Sequence, residues 1–350
     1  MSPRLIALLL ASVLPALPAA AETLTPYQRL RADGDFSGSK AGGKPAVDLS
    51  GLACMPAATG TLRCLVINDE GSFAQFASIA ENRVKPGATV PLIGDEASDA
   101  TLGTPPRDLC RAPGPFAEFD GEAVTYAEGA FYIAGSHGCS RRKGEFRLSA
   151  FHLARLKVDE AGAPSGKVEL TYRLSDVLRR ADEVSGYFGK DLDGENGLNV
   201  EGVAVTGATL WAGLRAPSLT DRAYLVGAPV EALFAPGKAA ATVMPTVLAI
   251  PAGKDRGVRD LAALRDGRLL ALVGPSQEQA QPYALLLVDP ARPTGSRLLG
   301  TLPSRPGHKA EAVTILGQRG SRLDVIVGYD GARNGGFEHY RIPLPEAAAR

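Results

Sequence analysis

The sequence predicts an all-β fold, and three features of the chain lead to that prediction. Its apolar segments are short and rich in Val, Leu, Ala and Tyr, and Gly, Pro and Asp separate them. Few stretches have the period of a helix, and the best candidate is 174–181. The chain also repeats itself five times, each repeat pairing two apolar strands across a turn. Four strands per repeat are typical of a β-propeller blade, so we predict five four-stranded blades.

Each repeat begins with a small or acidic residue that precedes an apolar strand. They start at 49–53, 121–124, 200–204, 259–262 and 310–313. The outer strands of the first four repeats are expected at 73–79, 89–93, 148–158, 167–174, 223–227, 246–250, 283–288 and 297–302. The long loops 94–119 and 178–199 leave room for a sixth blade, although neither has strand patterning.

The fifth repeat has room for three strands only and ends at 338–342. We expect Thr25 to Leu30 to supply its missing fourth strand. Closure of this kind would leave no open sheet edge where the ring joins.

Residues 1–21 have the pattern of a signal peptide. Arg4 precedes an apolar run, and Ala19-Ala20-Ala21 forms a small-residue cleavage pattern before Glu22. The run is shorter than the roughly 20 residues that a membrane span needs, and an uncleaved N-terminal anchor is the alternative. We therefore predict a periplasmic or secreted protein with a single propeller domain at 22–345, a disordered C-terminal tail at 346–350 and no membrane span.

The charge balance limits the partners of the chain. Removal of the signal peptide takes Arg4 with it and leaves one acidic residue in excess. Nucleic acids bind basic surfaces, so the balance argues against a nucleic-acid partner. We expect a monomer that binds a small anionic ligand or an exported protein partner.

The four cysteines of an exported chain predict two disulfides. Cys54 and Cys64 flank a stretch with Pro56 and Gly60, which indicates a hairpin with the cysteines on facing strands. Cys110 and Cys139 then pair by elimination. A metal site that uses His137 and Cys139 is the alternative.

Polar residues should converge at one end of the channel, because in a propeller the loops that enter the first strand and leave the second lie on the same face. Glu201, Glu311 and His137 are candidate catalytic residues. The candidate ligand-binding residues are Asp69, Glu122, Asn199, Arg215, Arg259, Asp260 and Lys309. The alternative for the repeated acids is structural, since such acids also hydrogen-bond the backbone of the next blade.

No cofactor is certain from the sequence, and Ca²⁺ is the candidate. Asp191 and Asp193 resemble the start of a calcium loop and are weak candidate ligands. The segment departs from the EF-hand pattern, because Asn196 stands where that loop has Gly and Gly202 where it has Glu.

Two functional classes remain open, and whether the chain is an enzyme is uncertain. A binding propeller is favoured, since Ser136-His137 lacks the Gly-x-Ser-x-Gly elbow of a serine hydrolase. The alternative is a metal-assisted esterase or phosphoesterase, in which Arg215, Arg259 and Lys309 would hold the anionic group.

Five short motifs lie at 48–51, 67–70, 134–138, 196–202 and 257–261. Together they resemble a family of bacterial exported proteins known as domain of unknown function 3616, and the resemblance covers nearly the whole mature chain. The resemblance implies a propeller distantly similar to the esterase-like phytase propellers. It implies no established activity and no catalytic residue.

Overall fold

The computed structural model describes residues 22–56, 60–141 and 143–345. The predicted signal peptide, Arg142 and the predicted tail at 346–350 lie outside the described residues. Within the described part, five four-stranded antiparallel blades carry the fold. Each innermost strand contacts the innermost strand of the blade on either side, so the five blades close into a ring. The five-bladed propeller predicted from the repeats is confirmed.

The strands are numbered β1 to β23 in chain order, and each blade runs outward from the channel. Blade 1 has β3 (Leu49–Cys54), β4 (Thr61–Asn68), β5 (Phe73–Ala80) and β6 (Arg83–Pro91). Blade 2 has β8 (Gly121–Ala127), β9 (Ala130–Gly135), β11 (Leu153–Lys157) and β12 (Glu169–Thr171). Blade 3 has β13 (Asn199–Thr206), β14 (Thr209–Leu219), β15 (Arg222–Pro229) and β16 (Thr246–Ile250). Blade 4 has β17 (Arg256–Ala263), β18 (Leu269–Pro275), β19 (Ala284–Val288) and β20 (Arg297–Thr301). Blade 5 has β21 (Lys309–Arg319), β22 (Arg322–Asp330), β23 (Glu338–Pro343) and β1 (Gln28–Arg29).

The remaining elements are short and lie in the connections. Strands β7 (Ala112–Pro113) and β10 (Glu145–Phe146) pair in parallel, and β2 (Arg31–Ala32) pairs in parallel with β6. The α-helices are α1 (Arg173–Leu178), α2 (Leu192–Glu195) and α3 (Val230–Leu233). No helix in the described part of the chain is long and apolar enough to cross a membrane.

The core is divided among the seams between blades. Five apolar clusters each join side chains of two neighbouring blades, and every seam of the ring holds one. Both faces of a blade are therefore covered, so a strand such as β18 is buried at every residue. Such strands appear in the sequence as continuous apolar runs rather than as alternating patterns.

The N-terminal segment closes the ring as predicted. Strand β1 pairs antiparallel with β23, and the register sets Gln28 opposite His339. Before this pairing, the Leu24 amide donates to the Thr301 carbonyl on the outer strand of blade 4. After it, β2 continues along the outer strand of blade 1. Residues 22–32, which we call the strap, therefore cross the outer edges of three blades.

A β-bulge interrupts the innermost strand of every blade at an equivalent position. In each pair of first and second strands, one residue in the first half of the first strand has no partner in the register, and β21 has a second such residue, Leu316, further along. The bulge residues at the equivalent position are Ser50, Glu122, Glu201, Arg259 and Glu311. Because a bulge re-aims its side chain, the bulges decide which five side chains the ring brings together.

Two details of the strands differ from the sequence prediction. The fourth strand of blade 1 spans β6 rather than 89–93, and it accommodates Pro86 at a shift of register with β5. In blade 2, 148–151 is a 3₁₀ helix, and the chain becomes helical at Arg173. The buried Arg173 guanidinium donates to the carbonyls of Ala235, Gly237 and Ala239, a distant contact that no local pattern shows.

Both predicted disulfides are present. Cys54 and Cys64 lie directly opposite each other on β3 and β4, with a Cα–Cα distance of 3.9 Å. Cys110 and Cys139 are joined with a Cα–Cα distance of 5.6 Å. Since Cys139 is in a disulfide, it is not a thiolate ligand, and the alternative of a metal site with His137 is wrong.

Candidate functional site

A cavity of about 370 Å³ opens on one face of the ring, where the bulge residues meet the loops that follow the second strands. We call it the channel-mouth cavity. The side chains of six acidic residues, five basic residues and several uncharged residues line it. The acidic residues are Asp69, Asp120, Glu122, Glu201, Glu311 and Asp330, and the basic residues are Arg141, Lys143, Arg147, Arg215 and Lys309. The uncharged residues are Ser136, Cys139, Ser140, Leu192 and Asn199.

One side of the cavity is a closed network of ion pairs. Arg259, which is 1% exposed, contacts Glu201 of blade 3 with one guanidinium nitrogen at 3.0 Å and Glu311 of blade 5 with the other. Arg215 donates to the second oxygen of Glu201 at 2.7 Å and to the Ser276 carbonyl at 2.8 Å. Two buried arginines therefore balance two buried glutamates, and the network joins blades 3, 4 and 5.

The backbone brings Arg215 into this network through a close approach of two blades. Strand β17 begins beside Arg215, and a Cβ on Gly257 would lie 1.8 Å from the Arg215 carbonyl oxygen. Only glycine fits at that distance. The Gly-Val-Arg sequence at 257–259 thus permits the contact and places Arg259 two residues later.

The other side of the cavity has carboxyl groups that no described cation contacts. Within the described part of the chain, Glu122 has only burial and acidic neighbours acting on it, and the buried Oδ1 atom of Asp69 has no hydrogen-bond partner. Burial, followed by the charge of Glu201, raises the pKa of Glu122 well above its usual value. Burial, followed by the charge of Glu311, raises the pKa of Asp69 to about 9. These two carboxyl groups are therefore held near each other and near further acids without compensation.

Two neighbours extend this uncompensated side. Asp120 accepts a hydrogen bond from the Ser136 hydroxyl, yet burial raises its pKa. The pKa of Glu311 is raised to about 7, chiefly by burial, although Arg259 opposes the shift. Asn199 Oδ1 is buried without a hydrogen-bond partner. The cavity thus offers several acceptors that no donor of the described residues satisfies.

In contrast, every cation in the lining already has an acidic partner. The pairs are Arg141 with Asp193 and Glu278, Lys143 with Glu145, Arg147 with Glu118 and Glu145, Arg215 with Glu201, and Lys309 with Asp330. Their distances range from 2.5 Å for Arg141–Glu278 to 3.7 Å for Lys309–Asp330. The lining is mixed in charge: Asp69 and Glu122 have no cationic partner among the described residues, whereas each described cation has an acidic one, although Arg147 Nε and Arg215 Nη2 are buried without a hydrogen bond.

The structure brings most of the predicted site residues together. Asp69, Glu122, Asn199, Glu201, Arg215, Lys309 and Glu311 line the channel-mouth cavity. Arg259 lies behind the lining and contacts two of its glutamates. The sequence indicated these site residues because they stand at or near equivalent positions of the repeats.

Four predicted residues lie elsewhere or are occupied by structural contacts. Asp260 is fully buried and accepts hydrogen bonds from the Leu261 and Val313 amides, so it joins blade 4 to blade 5. His137 is buried against Phe151, its Nδ1 contacts the Gly135 carbonyl, and burial lowers its pKa to about 4. Asp191 caps α2 through the Gly194 amide, and Asp193 pairs with Arg141.

Sequence reasoning missed Asp120, Ser140, Lys143, Arg147 and Leu192. Asp120 stands one residue before β8, in the kind of loop that the repeats do mark, so its position could have been found. The others come from the excursions between β9 and β11 and between β12 and β13, which belong to no repeat. The disulfide at Cys139 fixes the first of these excursions beside the cavity.

No three His, Cys, Asp or Glu side chains among the described residues are arranged to hold a metal ion. The acidic residues of the cavity come from several blades, and most are engaged by arginine, lysine or serine. The weak candidates Asp191 and Asp193 have the contacts given above.

Comparison with known proteins bears on the family and not on the activity. Residues 164–335 match the model of a family described as a protein of unknown function, DUF3616, which confirms the resemblance. The motifs at 48–51, 67–70 and 134–138 precede the matched residues. No curated protein matches the chain.

Three solved structures illustrate the similarity of the fold. An exo-β-1,3-galactanase from Phanerochaete chrysosporium has 7% identity and a TM-score of 0.48, and the match covers 91% of this chain and 65% of the galactanase. The calcium-binding protein regucalcin from Agrobacterium tumefaciens has 13% identity and a TM-score of 0.41, with 93% and 97% covered. A mannose phosphorylase from Leishmania mexicana has 12% identity and a TM-score of 0.40, with 92% and 89% covered. We draw no conclusion about activity from them.

Proposed function

We propose that this protein is an exported binding protein whose ligand is a small organic cation held in the channel-mouth cavity. The observation that carries the proposal is the pair of carboxyl groups, Glu122 and Asp69, which face this cavity with no cationic partner among the residues that the structure describes. Buried carboxylates are costly unless a charge or hydrogen-bond donors satisfy them. An ammonium group would supply both at once.

The sign of the ligand charge follows from what is already paired. Arg215, Arg259 and Lys309 were expected to hold an anionic group, but Glu201, Glu311 and Asp330 contact them. An anion that enters the channel-mouth cavity would have to compete with these internal carboxylates for Arg215, Lys309 and the two Nη atoms of Arg259. A cation meets no such competition at Glu122 and Asp69, and it would return their raised pKa values toward the usual range.

The geometry favours binding over hydrolysis. The Ser136 hydroxyl in the cavity donates to Asp120, and the neighbouring His137 ring is buried against Phe151. The base in hydrogen-bond reach of Ser136 is thus the Asp120 carboxyl and not an imidazole, since the adjacent His137 ring is directed at the Gly135 carbonyl. A metal-assisted esterase gains no support from the arrangement of acids, so we do not propose it.

Export is part of the proposal. Two disulfides persist in oxidising compartments such as the periplasm or the extracellular medium. The signal-peptide pattern before Glu22 supports the same location.

Calorimetric titration with 1,4-diaminobutane tests the proposal, with 1,4-butanediol as its neutral counterpart. We expect saturable binding of the diamine, with proton release, because the ammonium group lowers the pKa of Asp69 and Glu122. The number of protons released follows from titrations in two buffers of different ionisation enthalpy. Binding should be tighter at about pH 8 than at about pH 5, since ionised carboxyl groups are required.

Glu122→Gln should weaken diamine binding by about tenfold or more, because a charged hydrogen bond becomes a neutral one. The exposed Glu160→Gln is the matched control and should bind like the wild type. Equal binding of the diol, binding without proton release, or no diamine binding would overturn the proposal. Tight binding of Ca²⁺ alone at the same carboxyl groups would instead favour a metal ligand.

A further inference from the structure

A second and larger cavity, of about 560 Å³, lies between blades 4 and 5. The loop from β18 to β19 and the loop from β20 to β21 form most of its wall. We call it the seam pocket. Arg259 lines it, and the same guanidinium contacts the Glu201 and Glu311 carboxylates of the channel-mouth cavity. Arg259 therefore links the two cavities, and Lys309 lines both of them.

The seam pocket has an excess of positive charge. Arg305, which lines it, shares the single carboxylate of Glu338 with Arg29, so two guanidinium groups face one acid. Glu338 is fully buried and also accepts hydrogen bonds from the hydroxyls of Tyr329 and Tyr340. The charge of Arg305 is thus only partly balanced.

The donors of the pocket are only partly satisfied as well. Arg259 Nε is buried and has no hydrogen-bond partner, and neither has the buried Nδ1 atom of His308. Glu278 is the acidic residue among the described residues of the lining, and it pairs with Arg141 at 2.5 Å. In the channel-mouth cavity, by contrast, the carboxyl groups of Asp69 and Glu122 have no cationic partner among the described residues.

One wall of the pocket is apolar and rigid. It consists of the Tyr283 ring, Leu302 and four prolines, namely Pro275, Pro282, Pro303 and Pro306. Gly274 allows Tyr283 to lie close to the strand, because a Cβ at that residue would meet the ring at 2.3 Å and the Arg259 side chain at 3.2 Å. The Arg305 guanidinium stacks over Tyr329 at 4.5 Å from its ring centre. A flat or ring-shaped body could pack on this wall.

We infer that the seam pocket binds a small carboxylate with a ring-shaped, apolar body. Arg305 and Arg259 Nε would receive the carboxylate, since guanidinium donors suit this group, and the body would pack against Tyr283 and the prolines. This inference uses none of the residues that carry the proposed cation site. The cation-site proposal and the seam-pocket inference can therefore be refuted independently of each other.

Calorimetric titration with benzoate tests the inference, with benzyl alcohol as a neutral molecule of similar shape. We expect saturable benzoate binding, much weaker binding of the alcohol, and amide shift changes in ¹H–¹⁵N spectra confined to 275–283 and 302–309. Equal affinity for the alcohol, or no saturable benzoate binding, would overturn the inference.

Arg305→Gln should weaken benzoate binding by about tenfold or more, because Glu338 keeps Arg29 while the pocket loses its excess charge. Lys309→Gln, at the rim, is a second variant should the first not fold, and a smaller loss is expected. The exposed Arg265→Gln is the matched control. Glu122→Gln should leave benzoate affinity unchanged, which separates this result from the test of the cation site. Wild-type affinity in both pocket variants would contradict the inference.

Discussion

The five bulge residues form a ring around the channel, and its two sides have the same backbone bulge but differ in whether their polar side chains are paired. On the side of blades 3, 4 and 5, Glu201, Arg259 and Glu311 alternate in charge and contact one another. On the side of blades 1 and 2, the bulge residues are Ser50 and Glu122, and no described residue forms a hydrogen bond or ion pair with their side-chain oxygens. The same bulge position therefore carries an ion-pair network on one side of the ring and polar side chains without a described partner on the other.

The difference separates residues that hold the ring from residues that are available to a ligand. A buried ion pair contributes little net stability, but breaking it by removing one partner is costly. An unpaired buried carboxyl, in contrast, is already destabilising, so we attribute it to ligand binding and not to stability. The following four predictions test this division, from the largest expected effect to the smallest.

Arg259→Met should lower the free energy of unfolding by about 3–5 kcal/mol, because it leaves Glu201 and Glu311 buried without their shared cation. Denaturant unfolding followed by circular dichroism measures the change. Arg265→Met, at an exposed position, is the control. A loss below about 1 kcal/mol would show that the network does not hold the blades together.

Asp260→Ala should cost about 1–3 kcal/mol, since the Leu261 and Val313 amides lose their acceptor in a buried seam. The same unfolding experiment applies, with the exposed Asp95→Ala for comparison. If diamine binding were lost while stability stayed unchanged, Asp260 would belong to the ligand side of the ring instead.

Asp69→Asn should make the stability of the protein less sensitive to pH. Burial and acidic neighbours raise the pKa of Asp69 from 3.8 to about 9 in the folded protein. The stability from this group is fully present below its unfolded pKa and is lost as the pH rises through the folded one. Wild-type stability should thus fall between about pH 5 and pH 8.

The free energy of unfolding of the Asp69→Asn variant should fall less over this range, and the variant should be more stable than the wild type at about pH 8. Some decline should persist, because the pKa of Glu311 is also raised, to about 7. Thermal melts across the pH range measure the slope, with Asp95→Asn as control. An unchanged slope would contradict the proximity of the acids.

Glu122→Gln should not lower the free energy of unfolding at neutral pH. Burial raises the pKa of Glu122 in the folded protein, so the wild-type carboxyl loses stability as the pH rises above its unfolded pKa, whereas glutamine has nearly the same shape and does not ionise. The variant should therefore melt at or above the wild-type temperature, although it binds the diamine poorly. A large loss of stability would place Glu122 with the residues that hold the ring.

The repeats predicted the fold because each blade buries both faces and ends its strands at Gly, Pro or Asp. Val200-Glu201-Gly202 shows the principle: one charged residue within an apolar run marks the bulge, and the same mark recurs in other blades. Ring closure was also predictable, since the fifth repeat lacks a strand that Thr25 to Leu30 can supply.

The direction of individual side chains was less predictable. Arg259 and Asp260 are neighbours in sequence, yet the bulge directs Arg259 to the glutamates while Asp260 turns to the next blade. His137 has a positive φ of 51°, which takes it out of strand alternation and away from the cavity that Ser136 lines. Such local departures depend on backbone angles and on distant partners, which a period-two pattern does not encode.

The strap has a consequence for how the protein is made. Gln28 emerges from the ribosome long before its partner His339, 311 residues later in the chain. During that interval the edge of the strap is unpaired, and the fifth blade of another copy offers the same complementary strand. At high concentration, two chains that exchange straps would form a domain-swapped dimer with all native contacts. Slow dilution during refolding should therefore favour the monomer, because intramolecular closure does not depend on concentration.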